Sequence, residues 1–584
     1  MSDPIITVKA VEADDSDRSS INERDFIDEK RIEQLGRQRP AVFSSLFAEI
    51  GFIFAIVGSL IMSLYTVSGI NIILPSLIET FDIPESKRIW PVVVTSLTTS
   101  LLPLLFARMS DCYGGRVVFL GGHIWLLMWS LICGFSENTT MLIACRAMQG
   151  LGSSAFLPAS MALLGHAYRP GSRKNFVFSL YSASGCVGIY FGIIMGAVSA
   201  QVIGWQWYFW IGCVCGCVLV LVGRLSIPSN LKDANSELGF GTSLGVLILL
   251  MPGLVLTMHV LIKTGHVPKV DDDIVVSLIF AILLLLAYVW HQYKDLSSLL
   301  PTGRFRPMRM LLVLCLFIEY GIFGLYLYYA SSDINTVLKA TPLQTAVWFA
   351  PLPGLGLALA LAGGFVLRKI SCRILMIISN VGFLISAVLF ATIPEQRHST
   401  TYTYWAYVFP SMLFATIGID IACKVTIMYF AKALPRRLHA AGGALCSGLL
   451  FYGIAFWMGV GELAVFSTIR RKGRDKVDER EQLRIAFWVA AGLAVAVLCL
   501  ALMIKLERPV VEPKADDDTE QQQEPQQIQL VQQEAPADIW ERGVRLERAR
   551  TLDEEWQTGT GYGVEIRYGK MYDGCIFWLG TWSL

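Results

Sequence analysis

Long runs of apolar residues with few charges recur along the 584-residue chain, and they constrain its fold more than any other feature. A helix that crosses the hydrocarbon core of a bilayer needs about 20 apolar residues, because each residue advances it by about 1.5 Å. The sequence contains fourteen runs of about that length. They cover residues 50–77, 90–106, 117–135, 141–167, 176–200, 208–225, 244–262, 274–290, 311–330, 346–367, 374–393, 404–430, 441–466 and 485–504. This pattern predicts an all-α polytopic membrane protein with 14 transmembrane helices.

The amino-acid composition argues against a soluble protein and against several kinds of partner. Hydrophobic residues make up 54% of the chain and charged residues 16%, whereas a soluble domain typically has about 25% charged residues. The formal net charge of +1 leaves no basic excess, so we expect no nucleic-acid partner. The 13 cysteines form neither CxxC pairs nor zinc-type clusters, and we expect no metal and no cofactor.

Sequence motifs of ATP-driven pumps and of zinc proteases do not occur in the chain. There is no G-x-x-x-x-G-K-[ST] loop to hold the phosphates of ATP, and H-E-x-x-H is not found. We therefore expect a protein that is neither an ATPase nor another kind of enzyme.

The apolar runs are grouped as six, two and six. This grouping predicts two six-helix bundles that are joined by a linker with two inserted transmembrane helices. The expected regions are an N-terminal segment 1–48, a first bundle 49–226, a linker 227–310, a second bundle 311–505 and a C-terminal tail 506–584. The N-terminal segment is polar and charged, and the tail is mostly charged or Gln-rich. Such segments cannot bury enough apolar surface to fold, so we expect the first to be disordered and the tail to be mostly disordered.

The distribution of Lys and Arg among the loops predicts the orientation. An even number of helices places both termini on one side, and the loops on that side are basic, as at Arg173 and Lys174. Because cytoplasmic loops carry the excess of Lys and Arg, we expect both termini in the cytoplasm. The loop 467–484 is also basic although it lies on the opposite side, and it departs from this rule. We expect a plasma-membrane location, with a vacuolar or other internal membrane as the alternative.

A charged loop between the second and third runs has an echo at the equivalent place in the second half. The first loop contains Asp111, Gly114 and Arg116, and the second contains Arg368 and Arg373. An echo at the same place in both halves is typical of a duplicated six-helix unit. The first loop resembles the G-x-L-x-D-R-x-G-R-R signature of the major facilitator superfamily, although Ala107, Cys112 and Gly115 depart from it.

The fourth run carries an arginine within an apolar segment, which is costly unless its side chain faces protein or a water-filled cavity. The sequence from Arg146 through Gln149, Gly150 and Gly152 closely resembles the R-x-x-Q-G-x-G-x-A pattern of the same superfamily. The small residues favour close helix contact. In that family the arginine is implicated in proton coupling, and we favour this role for Arg146 over the alternative of structural ion pairing.

The fifth run has glycine at every fourth position, at Gly188, Gly192 and Gly196. This stripe predicts a smooth surface for another helix and is consistent with an interface on which the bundles rock. It resembles the family's antiporter signature G-x-x-x-G-P-x-x-G-G, but Ile193 stands where the proline belongs. The stripe is therefore weaker evidence for export by exchange.

The first run resembles the L-D-x-T-x-x-N-x-A-L-P motif of 14-spanner drug:proton antiporters. Asn71 and Pro75 match it, but Thr66 stands where the acid belongs. If protons drive the protein, another carboxylate must bind them. We expect Glu319, or the pair Asp420 and Lys424 four residues apart on one helical face, to serve. A self-neutralising structural role for that pair remains an open alternative.

Three residues are candidates for the wall of a substrate cavity: Asn71, Tyr320 and Trp348. Asn71 offers an amide within an apolar run, and the two aromatic residues offer apolar contact and attraction for cations. Sequence alone does not separate such residues from those that face lipid.

The resemblance covers roughly residues 45–505 and indicates the fungal 14-spanner drug:proton antiporter branch of the superfamily. It implies two six-helix bundles around a central cavity that opens to either side in turn. Our main hypothesis is proton-coupled export of small organic compounds by a monomer, with the bilayer, a small-molecule substrate and protons as partners. The alternatives are uptake or facilitated transport of a small ion or nutrient, such as ammonium, borate or a chelated metal, and a non-transporting membrane sensor.

Overall fold

The structure, a computed structural model, describes residues 39–40, 42–168, 171–229, 246–267, 271–294, 307–366, 370–394, 400–433, 439–473 and 477–503. All regular elements in these ranges are helical, which confirms the all-α prediction. The predicted C-terminal tail and most of the N-terminal segment lie outside the described residues, as does Arg368.

The first half of the chain forms eight helices in six membrane-crossing positions. They are α1 (Leu46–Ser68), α2 (Ile70–Phe81), α3 (Trp90–Leu101), α4 (Pro103–Tyr113), α5 (Gly115–Cys133), α6 (Thr139–Ala167), α7 (Ser172–Val198) and α8 (Gln206–Ser226). Helices α1 and α2 continue one another through Gly69. Helices α3 and α4 meet at a bend of 44°. Pro103 explains this bend, because proline lacks a backbone N–H and its ring clashes with the preceding turn.

The rest of the chain contains the inserted pair and the second bundle. The helices are α9 (Met251–His266), α10 (Asp272–Lys294), α11 (Pro307–Ser332), α12 (Pro342–Trp348), α13 (Pro351–Val366), α14 (Cys372–Ala391), α15 (Phe409–Ala433), α16 (His439–Lys472) and α17 (Glu479–Met503). Short π-helical turns extend α7, α9, α11 and α15 at one end.

Side-chain caps define where several helices begin. Asn138 Oδ1 accepts the backbone N–H of Met141 at 2.8 Å at the start of α6. Ser45 caps α1 and Ser371 caps α14 in the same way. Such caps satisfy N–H groups that have no partner within the helix. Their polar side chains therefore mark the first turns of these helices.

Eleven helical segments of the described residues are long and apolar enough to cross a membrane, and the bent pair α3–α4 raises the number to twelve. Helices α6 and α13 occupy the two remaining predicted positions, although they fall outside that group. The protein is therefore a multi-pass membrane protein, while the total of 14 spans stays a prediction.

The two bundles repeat the same packing scheme. In the first bundle, α1 packs on α7 and α8, and α5 packs on α6 and α8. In the second bundle, α11 packs on α16 and α17, and α14 packs on α15 and α17. The helices that pair hold the same positions in each six-helix unit, which is the structural mark of an internal repeat.

Most contacts between the bundles are formed by the fifth helix of each unit. Helix α16 packs on α3, α4 and α6 of the first bundle, and α7 packs on α12, α13 and α15 of the second. A β-carbon at Gly356 on α13 would lie 2.6 Å from the Cys186 sulfur on α7, so the two bundles approach closely there. These two interfaces are where the bundles must slide or part if the protein changes its access.

The basic loop 467–484 has a structural explanation. Arg470 donates to the backbone oxygens of Thr264 and Gly265, both at 3.1 Å, and to that of Val267. Arg480 donates to the oxygen of Ile393 at 2.9 Å. Cations are stabilised near the C-terminal ends of helices, where carbonyl groups lack partners. These arginines therefore cap α9 and α14, which gives them a role apart from membrane orientation.

The glycine stripe of α7 lies inside the first bundle. A β-carbon at Gly188 would lie 2.7 Å from the Ile61 Cα, one at Gly192 would lie 2.8 Å from the Tyr65 oxygen, and one at Gly196 would lie 2.7 Å from the Gly69 oxygen. The stripe thus brings the backbone of α7 against α1, whereas α7 meets the second bundle through other residues. It serves tight packing within one bundle rather than a rocking surface between two.

We expect Gly188→Ala to destabilise the protein, because its methyl group would overlap the backbone of α1, at a cost of about 1–3 kcal/mol. Gly185→Ala is the matched control on the same helix, since its β-carbon would lie 3.5 Å from Leu64 Cδ1, an ordinary contact. Thermal unfolding of the purified full-length protein in detergent measures the difference. Equal unfolding temperatures for the two variants would contradict the packing described here.

Candidate functional site

Arg146 is completely buried on α6 and is bound to two other helices of the first bundle. Its Nε donates to the Pro91 oxygen at 3.0 Å, and its Nη1 donates to the Thr66 oxygen at 2.9 Å and to Gln149 Oε1 at 3.4 Å. Its Nη2 atom has no hydrogen-bond partner. All of these acceptors are neutral, so the guanidinium is held by peptide and amide dipoles.

The surroundings of Arg146 are fixed by close helix contacts. Gln149 Nε2 donates to Ser130 Oγ on α5 at 2.9 Å, and Thr95 on α3 donates to the Arg146 oxygen at 3.1 Å. A β-carbon at Gly150 would lie 2.5 Å from the Thr95 oxygen, and one at Gly152 would lie 2.8 Å from a backbone oxygen of α5. The glycines therefore let α6 touch α3 and α5, which holds the arginine in a rigid setting.

Thr66 lies directly beside Arg146. Its backbone oxygen accepts from the guanidinium, while its hydroxyl donates to the Ser63 oxygen at 2.7 Å. This is the position at which the antiporter motif carries an acid. Within the described ranges no carboxylate forms an ion pair with Arg146. Thr66 thus leaves the arginine without the counter-charge that the motif would provide.

Glu319 is completely buried on α11 in the second bundle. Its Oε1 accepts from Asn380 Nδ2 on α14 at 2.5 Å, and its Oε2 has no hydrogen-bond partner. In the part of the chain that the structure describes, neither Lys nor Arg forms an ion pair with it. A carboxylate in this setting has only one amide to stabilise its charge.

Asp420 and Lys424 form a buried ion pair on α15, one turn apart. The thiol of Cys423 is close enough to interact electrostatically with Asp420 and with Glu319. The sulfur of Cys186, on α7 of the first bundle, interacts with the same pair. The geometry is that of a self-neutralising pair at the interface between the bundles.

A small cavity of about 10 Å³, room for about one water molecule, lies between the bundles. Its lining is apolar apart from one serine and one asparagine. The residues that line it are Leu64, Val67, Ser68, Asn71, Val92, Ile189, Phe323, Gly324, Leu327, Ile454 and Met458. Asn71 donates to the oxygens of Val67 and Ser68, and its Oδ1 is unpartnered. Asn71 is thus the predicted cavity residue that reaches this wall.

The other two predicted cavity residues lie elsewhere. Tyr320 donates to Thr426 Oγ1 at 2.8 Å inside the second bundle. Trp348 packs against the ring of Tyr404, with ring centroids 5.2 Å apart. Glu319 does not line the cavity either, but it lies one helical turn before Phe323 on the helix that forms part of the wall.

The charged loops hold the same position in both bundles. Arg116 Nη2 donates to the Arg224 oxygen at 2.6 Å, and Arg373 Nη2 donates to the Leu502 oxygen at 2.5 Å. Each arginine starts the third helix of its bundle and caps the sixth. Gly114, before Arg116, has a φ of 91°, which residues with a side chain rarely adopt. Asp111 interacts electrostatically with Arg108 on α4.

Asn380 was missed by the sequence analysis. It is a completely buried amide on α14, within the predicted run 374–393. The signal was present, because an isolated asparagine in an apolar helix must find a polar partner. Its partner, however, lies on another helix 61 positions away, and only the structure brings the two together.

Two repeated six-helix bundles, with charged residues buried inside them and a cavity between them, define a membrane carrier of solutes. The sequence profile of the Major Facilitator Superfamily matches residues 56–458, more than half of the chain. The chain belongs to this superfamily and is a transporter rather than an enzyme, and the prediction of a major facilitator fold is confirmed.

Fungal relatives include several named exporters. The efflux pump terJ of Aspergillus terreus is 26% identical over 483 residues, which cover 81% of this chain and 90% of the relative. The multidrug transporter mdr3 of Aspergillus fumigatus is 26% identical over 434 residues, 72% of each chain. The low affinity ammonium transporter of Saccharomyces cerevisiae is 27% identical over 382 residues, 64% of this chain and 72% of the relative. The predicted resemblance to the fungal drug-efflux branch is confirmed.

Solved structures share the fold at low sequence identity. The peptide transporter POT in complex with sulfate superposes with a TM-score of 0.55 at 13% identity, covering 81% of this chain and 97% of that protein. A POT family transporter in complex with 5-aminolevulinic acid gives a TM-score of 0.57 at 15% identity.

We expect Thr66→Asp to form an ion pair with Arg146. In a double-mutant cycle with Arg146→Gln, the coupling free energy should be about 1–3 kcal/mol, because the new carboxylate meets an unpaired guanidinium in a low-dielectric site. Thermal unfolding of the four purified proteins measures it, and Thr66→Asn is the uncharged control. A coupling energy near zero would show that Thr66 does not face the arginine.

Proposed function

We propose that the protein is a proton-coupled exporter of small organic compounds that works by alternating access. One observation carries this proposal: Glu319 is completely buried, has no cationic partner among the described residues, and lies on a helix that walls the cavity. An ionised carboxylate at such a place costs several kcal/mol, so the group binds a proton during the cycle.

Coupling requires that the proton-binding residue and the substrate share a moving part. Helix α11 provides it, because Glu319 is followed one and two turns later by Phe323 and Leu327, which line the cavity. The same helix contacts α2 of the first bundle. A change of charge on Glu319 therefore acts on a helix that both forms the cavity wall and meets the opposite bundle.

Arg146 is a positioning residue in this scheme. It binds the carbonyl groups of Thr66 and Pro91, and the residues that follow them, Val67 and Val92, line the cavity. The arginine thus ties two wall segments of the first bundle to α6. Because a guanidinium stays charged at any physiological pH, it acts as a fixed positive centre while Glu319 gains and loses its proton.

The substrate class is supported by the relatives. The cavity has a volume of about 10 Å³, room for about one water molecule, so a substrate enters only when the bundles part along this apolar wall. Relatives named as an efflux pump and as a multidrug transporter support export. The proposal includes a monomer in the plasma membrane. It also places both termini in the cytoplasm, and the basic loops on that side support this orientation.

A second candidate is uptake or facilitated transport of a small ion or nutrient such as ammonium. It is favoured by Thr66, which replaces the acid of the drug-antiporter motif beside Arg146, and by the relative named as a low affinity ammonium transporter. The direction of solute movement in vesicles with an imposed pH gradient separates the two candidates. Export predicts solute movement against the proton flow, and uptake predicts movement with it or independent of it.

We expect Glu319→Gln to abolish pH-driven accumulation while substrate exchange at equal pH persists, because the amide mimics the protonated acid and holds that state. Accumulation should fall at least about tenfold, as for loss of a group required for proton transfer. The measurement uses full-length protein in vesicles and a compound chosen by comparing the drug sensitivity of cells with and without the protein.

Asp273→Asn is the control for this experiment, since Asp273 is an exposed carboxylate at the start of α10. It should leave both kinds of flux unchanged. Asp420→Asn tests the other carboxylate that the sequence analysis named as a candidate for proton binding. If both Glu319→Gln and Asp420→Asn transport with full pH coupling, neither residue carries the proton.

A further inference from the structure

Two side chains that are hydrogen-bonded to each other across the contact between α11 and α14 each have an oxygen atom without a partner. These atoms are Glu319 Oε2 and Asn380 Oδ1, and both belong to completely buried side chains. The same two side chains are joined by the 2.5 Å hydrogen bond from Asn380 Nδ2 to Glu319 Oε1. Buried oxygens without a donor are costly, and a donor that satisfies both of them is missing.

We propose that Glu319 and Asn380 form a joint proton-binding site, closed as a cyclic pair between a carboxylic acid and an amide. The added proton bonds to Glu319 Oε2 and is donated to Asn380 Oδ1, while Asn380 Nδ2 continues to donate to Oε1. One proton thus satisfies both unpartnered atoms and leaves the site neutral. This inference rests on the proposed function, and it adds a second residue and a defined protonation state to it.

A proton fits this place better than a metal ion. Asn380 Nδ2 directs its hydrogens at Glu319 Oε1 and at the Met376 oxygen, 2.8 Å away, so the amide offers only one oxygen to a cation. Hard cations such as Ca²⁺ take six to eight oxygen ligands. No group of three or more His, Cys, Asp or Glu side chains suited to a metal ion occurs in the described ranges.

The groups that face Glu319 do not compete with the proton. Cys315 on α11 and Cys423 on α15 interact with it, and both are thiols. From α14 the facing group is Asn380, and Cys446 on α16 lies beside Tyr320 rather than Glu319. Lys424 on α15 is paired with Asp420. Asn380 is therefore the side chain that hydrogen-bonds Glu319 among the described residues.

Loss of the proton changes the contact between two helices. Once Glu319 is ionised, Oε2 and Asn380 Oδ1 are two acceptors that repel each other, and the amide can no longer donate and accept at the same time. The pair of Glu319 and Asn380 then joins α11 and α14 by one hydrogen bond instead of two. Because α11 carries the cavity wall from Phe323 to Leu327, the proton state of the pair is transmitted to the substrate site.

Infrared spectroscopy of the full-length protein in lipid vesicles tests this pair directly. A carbonyl band of a protonated carboxyl group should be present at neutral pH, and its absence in Glu319→Gln assigns it. In Asn380→Leu the band should move to higher frequency, because the carbonyl loses the N–H donor.

Ser379→Ala is the control, because it removes a neighbouring bond from α14 to the Gly418 oxygen without touching Glu319. It should leave the band unchanged. Asn380→Ser, which keeps a smaller donor and acceptor, gives an intermediate shift and serves if the leucine variant does not fold. An unchanged band in the Asn380 variants overturns the pair. A band that shifts when sodium replaces choline in the buffer also overturns it, because the site would then bind a cation rather than a proton.

The outcome is independent of the flux measurement. A band that shifts as expected, together with full pH coupling in Glu319→Gln, keeps the site and refutes its role in transport. If the wild-type protein lacks the band at every pH at which it stays folded, the joint site itself is refuted.

Discussion

The burial of charge in an apolar bundle is the constraint on which the rest of this structure depends. A membrane interior supplies no water, so each polar group needs a partner within the protein. Arg146 meets this requirement with carbonyl groups from two neighbouring helices and an amide on its own helix. These bonds fix the relative positions of α1, α3 and α6, and Gly150 lets α6 come close to α3. The hydrogen bonds that hold Arg146 therefore also hold the helices of the first bundle together.

The second bundle meets the same constraint in a different way. It contains a neutralised pair, Asp420 and Lys424, and one carboxyl group that has only an amide partner. The two bundles repeat each other in helix order and in the capping role of Arg116 and Arg373, but not in their buried charges. The helix arrangement is thus the same in both halves, whereas the buried polar residues differ. In the proposed mechanism Arg146 gives the first bundle a permanent positive charge, and Glu319 in the second bundle changes its charge when it binds or releases a proton.

Much of the fold and part of the site could be predicted from the sequence. Hydropathy located the helices, because a spanning helix must be apolar along its whole length, and the motif around Arg146 placed a buried arginine correctly. Rotation about the helix axis could not be predicted, since an apolar helix is hydrophobic on every side. Tyr320 and Trp348 therefore lie away from the cavity, and the glycine stripe of α7 faces α1. Asn380 was missed because its partner is distant in the sequence.

The arginine at the end of α16 has a mechanical consequence. Arg470 holds the last carbonyl groups of α9, so the inserted hairpin is fastened to the second bundle. Its other helix, α10, exposes a broad apolar surface that includes Phe280, Leu283 and Trp290. In the proposed mechanism the inserted hairpin therefore stays with the second bundle when the bundles part, and it enlarges the apolar surface that this bundle presents to lipid.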